Sequence, residues 1–217
     1  MVFSPKIFVI TGIDGSGKTT ISSLLEQELQ KRKINVKIVQ QFAPILIPRK
    51  MLERFGSTFI SLERQVADNK DFSRSQNTLK TRILRTLAII RIISFGYFHT
   101  LANITLNLRA DMIISDRYFF DNVLKVNWLY NKSYYDTWFL GLVPMPDLII
   151  YLDVPPEVGW KREIDGNTTL SQHVSKKQVY DEFYQAFRKN NRPILKIDAL
   201  LPKEEILTTI LHEIERR

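Results

Sequence analysis

Five short apolar runs recur along the chain, each followed by polar turn residues and then by a stretch whose apolar positions fall at helical spacing. Ile7 to Ile10, Val36 to Val39, Met112 to Ser115, Leu148 to Leu152 and Ile194 to Ile197 read as strands, rich in β-branched and aliphatic residues. The stretches between them predict helices near 19–32, 58–69, 78–108, 119–130, 156–163, 175–190 and 203–215. Strands alternating with helices in this way form a parallel sheet with helices on both faces, and ligands gather at the carboxyl ends of its strands. The expected fold is therefore α/β and three-layered, with a five-stranded parallel sheet. No internal repeat or low-complexity tract interrupts the alternation.

One helical stretch departs from the amphipathic pattern. Ile92 to Leu108 carries no formal charge beyond that of His99. A membrane span needs about 20 predominantly apolar residues, and Ser94, His99, Thr100, Asn103, Thr105 and Asn107 interrupt this one. A long buried helix, bent near Gly96, is the expectation, and a membrane contact is not.

The first strand runs directly into Gly12-x4-Gly17-Lys18-Thr19, and Ile21, Leu24, Leu25 and Leu29 then recur at helical spacing. A loop between a strand and a helix is the setting in which this motif binds phosphate. Gly12, Gly15 and Gly17 let the backbone curl so that successive amides, including those of Ser16 and Thr20, point at one anion, and the helix that follows adds its positive end. Lys18 is expected to reach the β/γ-phosphates of a nucleotide, and Thr19 to ligate Mg²⁺. These residues place the chain in the phosphate-loop NTPase class of α/β folds.

A second signal lies at another strand end. MIISDRY, residues 112–118, puts Asp116 where a carboxylate can share the Mg²⁺ held by Thr19, with Arg117 beside it to clamp a phosphate. Two opposite charges at a buried strand end need partners, which a magnesium nucleotide supplies.

Composition narrows the picture further. With 217 residues and 44% apolar content the chain suits one domain spanning 1–217. The absence of cysteine excludes disulfides, thiolate zinc sites and cysteine nucleophiles. Together with the lack of a visible signal peptide, it gives a cytoplasmic expectation. The net charge of +8 is partly absorbed at helix ends, by Lys31, Arg32 and Lys33 and by Arg216 and Arg217. No segment interleaves basic and aromatic residues as a nucleic-acid surface does, so nucleic acid is not an expected partner.

Four segments, VITGIDGSGKTT at 9–20, ISDRY at 114–118, PDLIIYLDVPPEVGWKR at 146–162 and KIDALLPKEEILTTIL at 196–211, resemble the thymidylate kinase family of nucleoside monophosphate kinases, in its order and spacing. The resemblance implies transfer of the γ-phosphoryl group of ATP to a small phosphorylated acceptor, with dTMP the default, and a homodimer packed through long helices. It also implies residue roles. Lys18 and the backbone from Gly15 to Thr20 would bind ATP phosphates, with Thr19 and Asp116 serving magnesium. Asp14 would lie near the acceptor's sugar and phosphate, and Arg117 would hold that phosphate. Asp198 and Ala199 would border the adenine. Arg162 would lead into a short mobile lid at about 163–175.

Several positions depart from the family pattern. The Arg-Glu-Pro segment after the second strand is replaced by QQFAPILIPRK, leaving Arg49 as its substitute. The acceptor arginine one helix before Asp-Arg-Tyr has Arg91 as its nearest counterpart, one turn early, with Leu87 where a phenylalanine would stack on thymine. Beyond Tyr118, itself carried over as an acceptor residue, Asp121, Leu124, Lys125 and Val126 occupy the family's base-site positions. Gly15 stands where some members carry a loop arginine, so the resemblance assigns the transition-state cation to the lid. EIDGNTTLSQHVS, residues 163–175, contains no arginine, leaving Arg162, Lys176 or Lys177 to act. His173 reads as a solvated loop residue. Three readings stay open: a monophosphate kinase, a kinase of the same fold with another acceptor such as a nucleoside, and a nucleotide-binding protein with little transfer activity.

Overall fold

The computed structural model describes residues 5–40, 79–130, 141, 143–163 and 168–217, with the side chains of 79–85 and 88 excepted. The helix expected at 58–69 and Arg49 lie outside the described residues. Strands β1 (Lys6–Thr11), β2 (Val36–Gln40), β3 (Met112–Asp116), β4 (Leu148–Asp153) and β5 (Ile194–Asp198) form one parallel sheet in the order β2-β3-β1-β4-β5. Helices α1 (Lys18–Lys31), α2 (Leu79–Leu106), α3 (Phe119–Tyr130), α4 (Pro156–Arg162), α5 (Leu170–Lys189) and α6 (Lys203–Glu215) connect and follow these strands.

β1, β3 and β4 are buried along nearly their whole length, as continuous apolar runs in a parallel sheet require. Phe8, Ile10, Ile114, Ile149 and Ile150 are fully enclosed, and Leu25 of α1 and Ile210 of α6 pack into the same core. Since β1 lies between β3 and β4, the chain leaves the sheet at neighbouring points after Thr11, Asp116 and Asp153. The register sets Ile10 opposite Asp116 and Thr11 opposite Tyr151. Three loops thus open at one edge of the sheet's centre.

Two element expectations need correction. α5 begins at Leu170 rather than near 175, because Thr169 and Gln172 form a reciprocal capping box: the Thr169 hydroxyl accepts from the Gln172 amide at 3.2 Å and the Gln172 side chain accepts from the Thr169 amide at 3.0 Å. The last six residues of the expected lid are therefore helical. His173, expected to be solvated, is fully buried, with Nδ1 3.2 Å from the Thr168 hydroxyl and Nε2 3.8 Å from Glu163.

α2 runs unbroken through Gly96. A Cβ at Gly96 would meet Asn122 Nδ2 at 2.4 Å, so the glycine allows α2 and α3 to approach closely rather than bending the helix. By length and composition, Ile89–Leu106 could cross a membrane. One face of it nevertheless buries Ile92, Gly96, His99, Thr100 and Asn103 inside the protein, where Asn103 and His99 pair at 3.0 Å.

Candidate active site

The phosphate loop takes the shape its glycines permit. Gly15 has a φ of +77° and lies against α4, where a Cβ would meet the Gly159 carbonyl oxygen at 2.1 Å. The position is thus closed to any side chain while α4 stays in place. Lys18, at the first turn of α1, folds back and donates to the carbonyls of Gly12 at 2.9 Å and Ile13 at 2.8 Å. Burial, with Arg117 nearby, pushes its ammonium down to about 7. Thr19 Oγ1 donates to the Asp116 carboxylate at 2.8 Å.

Gly15 to Thr20, Asp116, Arg162 and Ala199 line a cleft of about 600 Å³. Asp198 caps the turn after β5, its carboxylate accepting from the Leu200 amide at 2.8 Å, while the Ala199 amide donates to the Asp153 carbonyl at 2.8 Å. Ala199 thereby faces the cleft at the end of the sheet.

A second cavity, of about 310 Å³, lies on the other side of Asp14 and Arg117, which line both. Arg117 leaves β3 with a φ of +72°, rare for a residue other than glycine, and its amide donates to the Ile10 carbonyl at 3.0 Å. Its guanidinium pairs with Asp14, lies 3.9 Å from Asp121 and donates to the Tyr180 hydroxyl at 3.5 Å. Asp121 is buried, and its carboxylate accepts from the Thr11 hydroxyl at 2.8 Å, the Tyr180 hydroxyl at 2.7 Å and the Tyr118 amide at 2.8 Å. Burial and this carboxylate push the Tyr180 phenol well above its ordinary range.

Lys176, on α5, reaches the second oxygen of Asp14 at 2.8 Å. Burial works against ionisation of Asp14, yet Arg117 and Lys176 together hold its carboxyl well below the usual carboxylate range. An anionic group is thus gripped by two cations at the boundary of the two cavities.

Not every sequence-chosen residue joins this cluster. Tyr118 is 2% exposed and its hydroxyl donates to the Pro144 carbonyl at 2.7 Å, so it anchors the segment before β4 and lines neither cavity. Arg91 sits on the exposed side of α2 and likewise lines neither cavity. Lys177 turns from the cavities toward Asp153, at 2.8 Å, and pairs also with Asp181. Trp128 and Tyr180 line the smaller cavity without having been singled out. A signal was available for Trp128: Asp121, Leu124, Lys125 and Trp128 share one face of α3 at i, i+3, i+4, i+7 spacing.

Thr19 and Asp116 offer two oxygen ligands of the type magnesium takes, and Mg²⁺ commonly completes its shell with substrate phosphates and water. Among the described residues there is no group of three or more His, Cys, Asp or Glu side chains that could hold a metal alone. The donor set fits a metal delivered with a nucleotide.

No family model matches the chain. It is 25% identical over 213 residues to a probable thymidylate kinase 1 of Saccharolobus solfataricus, covering 97% of each chain. It is 24% identical over 218 residues to the thymidylate kinase of Plasmodium falciparum, covering 97% of this chain and 90% of that one. Among solved structures, deoxyadenosine kinase from M. mycoides superposes with a TM-score of 0.61 at 18% identity, over 96% of this chain and 99% of the other, which shows a shared fold. The fold, the phosphate loop and these likenesses together support the class of phosphate-loop nucleotide kinases. Within it, the relatives of similar length support the thymidylate kinase family.

Proposed function

We propose that the protein transfers the γ-phosphoryl group of ATP to a nucleoside monophosphate, with dTMP as the foremost acceptor. The observation that carries this reading is the Asp14–Arg117 pair, standing between a cleft lined by the phosphate loop and a smaller cavity along α3. A donor phosphate chain in the cleft and an acceptor phosphate at Arg117 would face each other there.

The reaction asks for positioning and charge cancellation rather than covalent catalysis. Lys18 would leave the Gly12 and Ile13 carbonyls for the β/γ-phosphates, and Thr19 and Asp116 would hold Mg²⁺. Magnesium, when bound, neutralises charge on the β- and γ-phosphate oxygens. Arg117 would orient the acceptor phosphate, and Arg162 and Lys176 would approach the transferring group from the lid side. Ala199, next to Asp198, would border the adenine.

Two cations, Arg117 and Lys176, converging on Asp14 where the cavities meet favour a phosphorylated acceptor over a nucleoside. A nucleoside hydroxyl needs a proton acceptor, and a carboxylate held by two cations is a weak base. A monophosphate oxygen is already ionised and needs none. ADP formation with Mg-ATP and a panel of nucleosides and monophosphates tests this: turnover with monophosphates is expected, and turnover with unphosphorylated nucleosides alone would sink it.

The same reading includes a homodimer. Leu87, Ile90, Phe98 and Leu106 are exposed along α2, an apolar face of the kind that subunits cover. Sedimentation velocity should give twice the chain mass, and a monomer at micromolar concentration would exclude it.

A further inference from the structure

We infer that Trp128 is the platform on which the base of the acceptor stacks. The inference rests on the kinase reading and adds the residue that recognises the base. Leu87, where a stacking aromatic was expected, is exposed on α2 and lines neither cavity. The smaller cavity instead runs along the face of α3 that carries Asp121, Leu124, Lys125 and Trp128. Seven residues at 1.5 Å each place Trp128 roughly 10 Å along the helix from Asp121, which adjoins Arg117. With a phosphate at Arg117, the sugar and base extend toward the indole.

The indole is fixed in place. Its Nε1 donates to Ser175 Oγ at 2.9 Å, and that hydroxyl donates to the Gln172 carbonyl at 3.0 Å, so the first turns of α5 hold the ring. Lys176 Nζ lies 5.2 Å from the ring centroid while also pairing with Asp14, linking the platform to the phosphate end of the cavity. The ammonium covers one face of the indole, so an acceptor phosphate that draws it away would uncover that face for the base. A large flat ring with a tethered nitrogen offers its π-face to any base at little entropic cost. Tyr180, the other aromatic among the described residues lining the cavity, has its hydroxyl committed to Asp121 and is almost fully buried.

The test has two arms. In a Trp138→Phe, Trp160→Phe background, Trp128 is the sole tryptophan, and dTMP should quench its fluorescence, whereas deoxyribose 5-phosphate, which lacks a base, should not. In steady-state assays Trp128→Ala should raise the acceptor KM at least about tenfold with the ATP KM unchanged, and Trp128→Phe should recover most of the loss. An unchanged acceptor KM in Trp128→Ala, or equal quenching by the abasic sugar phosphate, overturns the platform while leaving the kinase reading intact. If the wild-type chain turns over no acceptor, the kinase reading fails. The fluorescence arm then still decides the platform: quenching by nucleotides supports it and no quenching overturns it.

Discussion

Thr19 Oγ1 and the Asp116 carboxylate stand 2.8 Å apart although 97 residues separate them in sequence. The parallel pairing of β1 with β3, Ile10 opposite Asp116, brings the phosphate loop and the end of β3 to the same edge. A hydroxyl that donates to a carboxylate makes a strong bond of its type, and the same two oxygens are of the kind that would hold magnesium.

Replacing either partner should therefore act on magnesium more than on folding. Thr19→Val and Asp116→Asn are each expected to raise the magnesium concentration for half-maximal activity at least about tenfold. Activity should vanish with excess EDTA. A magnesium titration that superposes on wild type for both variants would remove these residues from the metal site.

The backbones of Gly15 and Gly159 approach closely at the site. Gly15→Ala sets a Cβ 2.1 Å from a carbonyl oxygen and keeps an unfavourable φ, so α4 must shift away from the loop. Thermal unfolding should show a loss of about 1–3 kcal/mol, with the ATP KM raised. A variant with unchanged stability would mean that α4 yields freely. With α4 in this position the same contact leaves no room for an arginine at Gly15.

Much of this was legible in the sequence. The strand–loop–helix context of Gly12 to Thr19 and the position of Asp116 after an apolar run foretold the cleft at the ends of β1 and β3, because the motif and the strand ends are local patterns. Thr169-x-x-Gln172 is an equally local signal for the start of α5, inside the stretch of about 163–175 expected to be a lid. The smaller cavity was legible only in part. Whether Tyr118 faces a cavity or the Pro144 carbonyl depends on packing between α3 and the segment before β4, and no spacing rule encodes that. Nor does any local pattern foretell that Lys176 meets Asp14 while Lys177, its neighbour, turns to Asp153.

Lys176→Ala should lower kcat about 10- to 1000-fold, as expected for a cation that stabilises a transferring phosphoryl group. Lys176→Arg should retain much of the activity, and the ATP KM should change little in both. Full activity in Lys176→Ala would leave Arg162 as the remaining lid-side cation.

Asp14 supplies a pH dependence whose sign follows from its lowered pKa. Its ion pairs stabilise the fold at pH values above its unfolded pKa of about 4, and that contribution disappears as pH falls through the lower folded value. The difference in unfolding free energy between wild type and Asp14→Asn should therefore be constant near neutrality and shrink in acid. Carboxyl carbon NMR titration of Asp14 should give a midpoint below that of an ordinary aspartate, rising in Arg117→Met. An ordinary midpoint in the wild type would contradict the two-cation grip.

If a γ-phosphoryl group passes to a phosphorylated acceptor across the boundary marked by Arg117 and Asp14, ³¹P NMR of the protein with Mg-ATP and dTMP will show it. The monophosphate resonance is expected to give way to the paired resonances of a nucleoside diphosphate, in step with ADP, and Arg117→Ala should slow this strongly. Release of inorganic phosphate without a new diphosphate, or a spectrum that does not change, would contradict it.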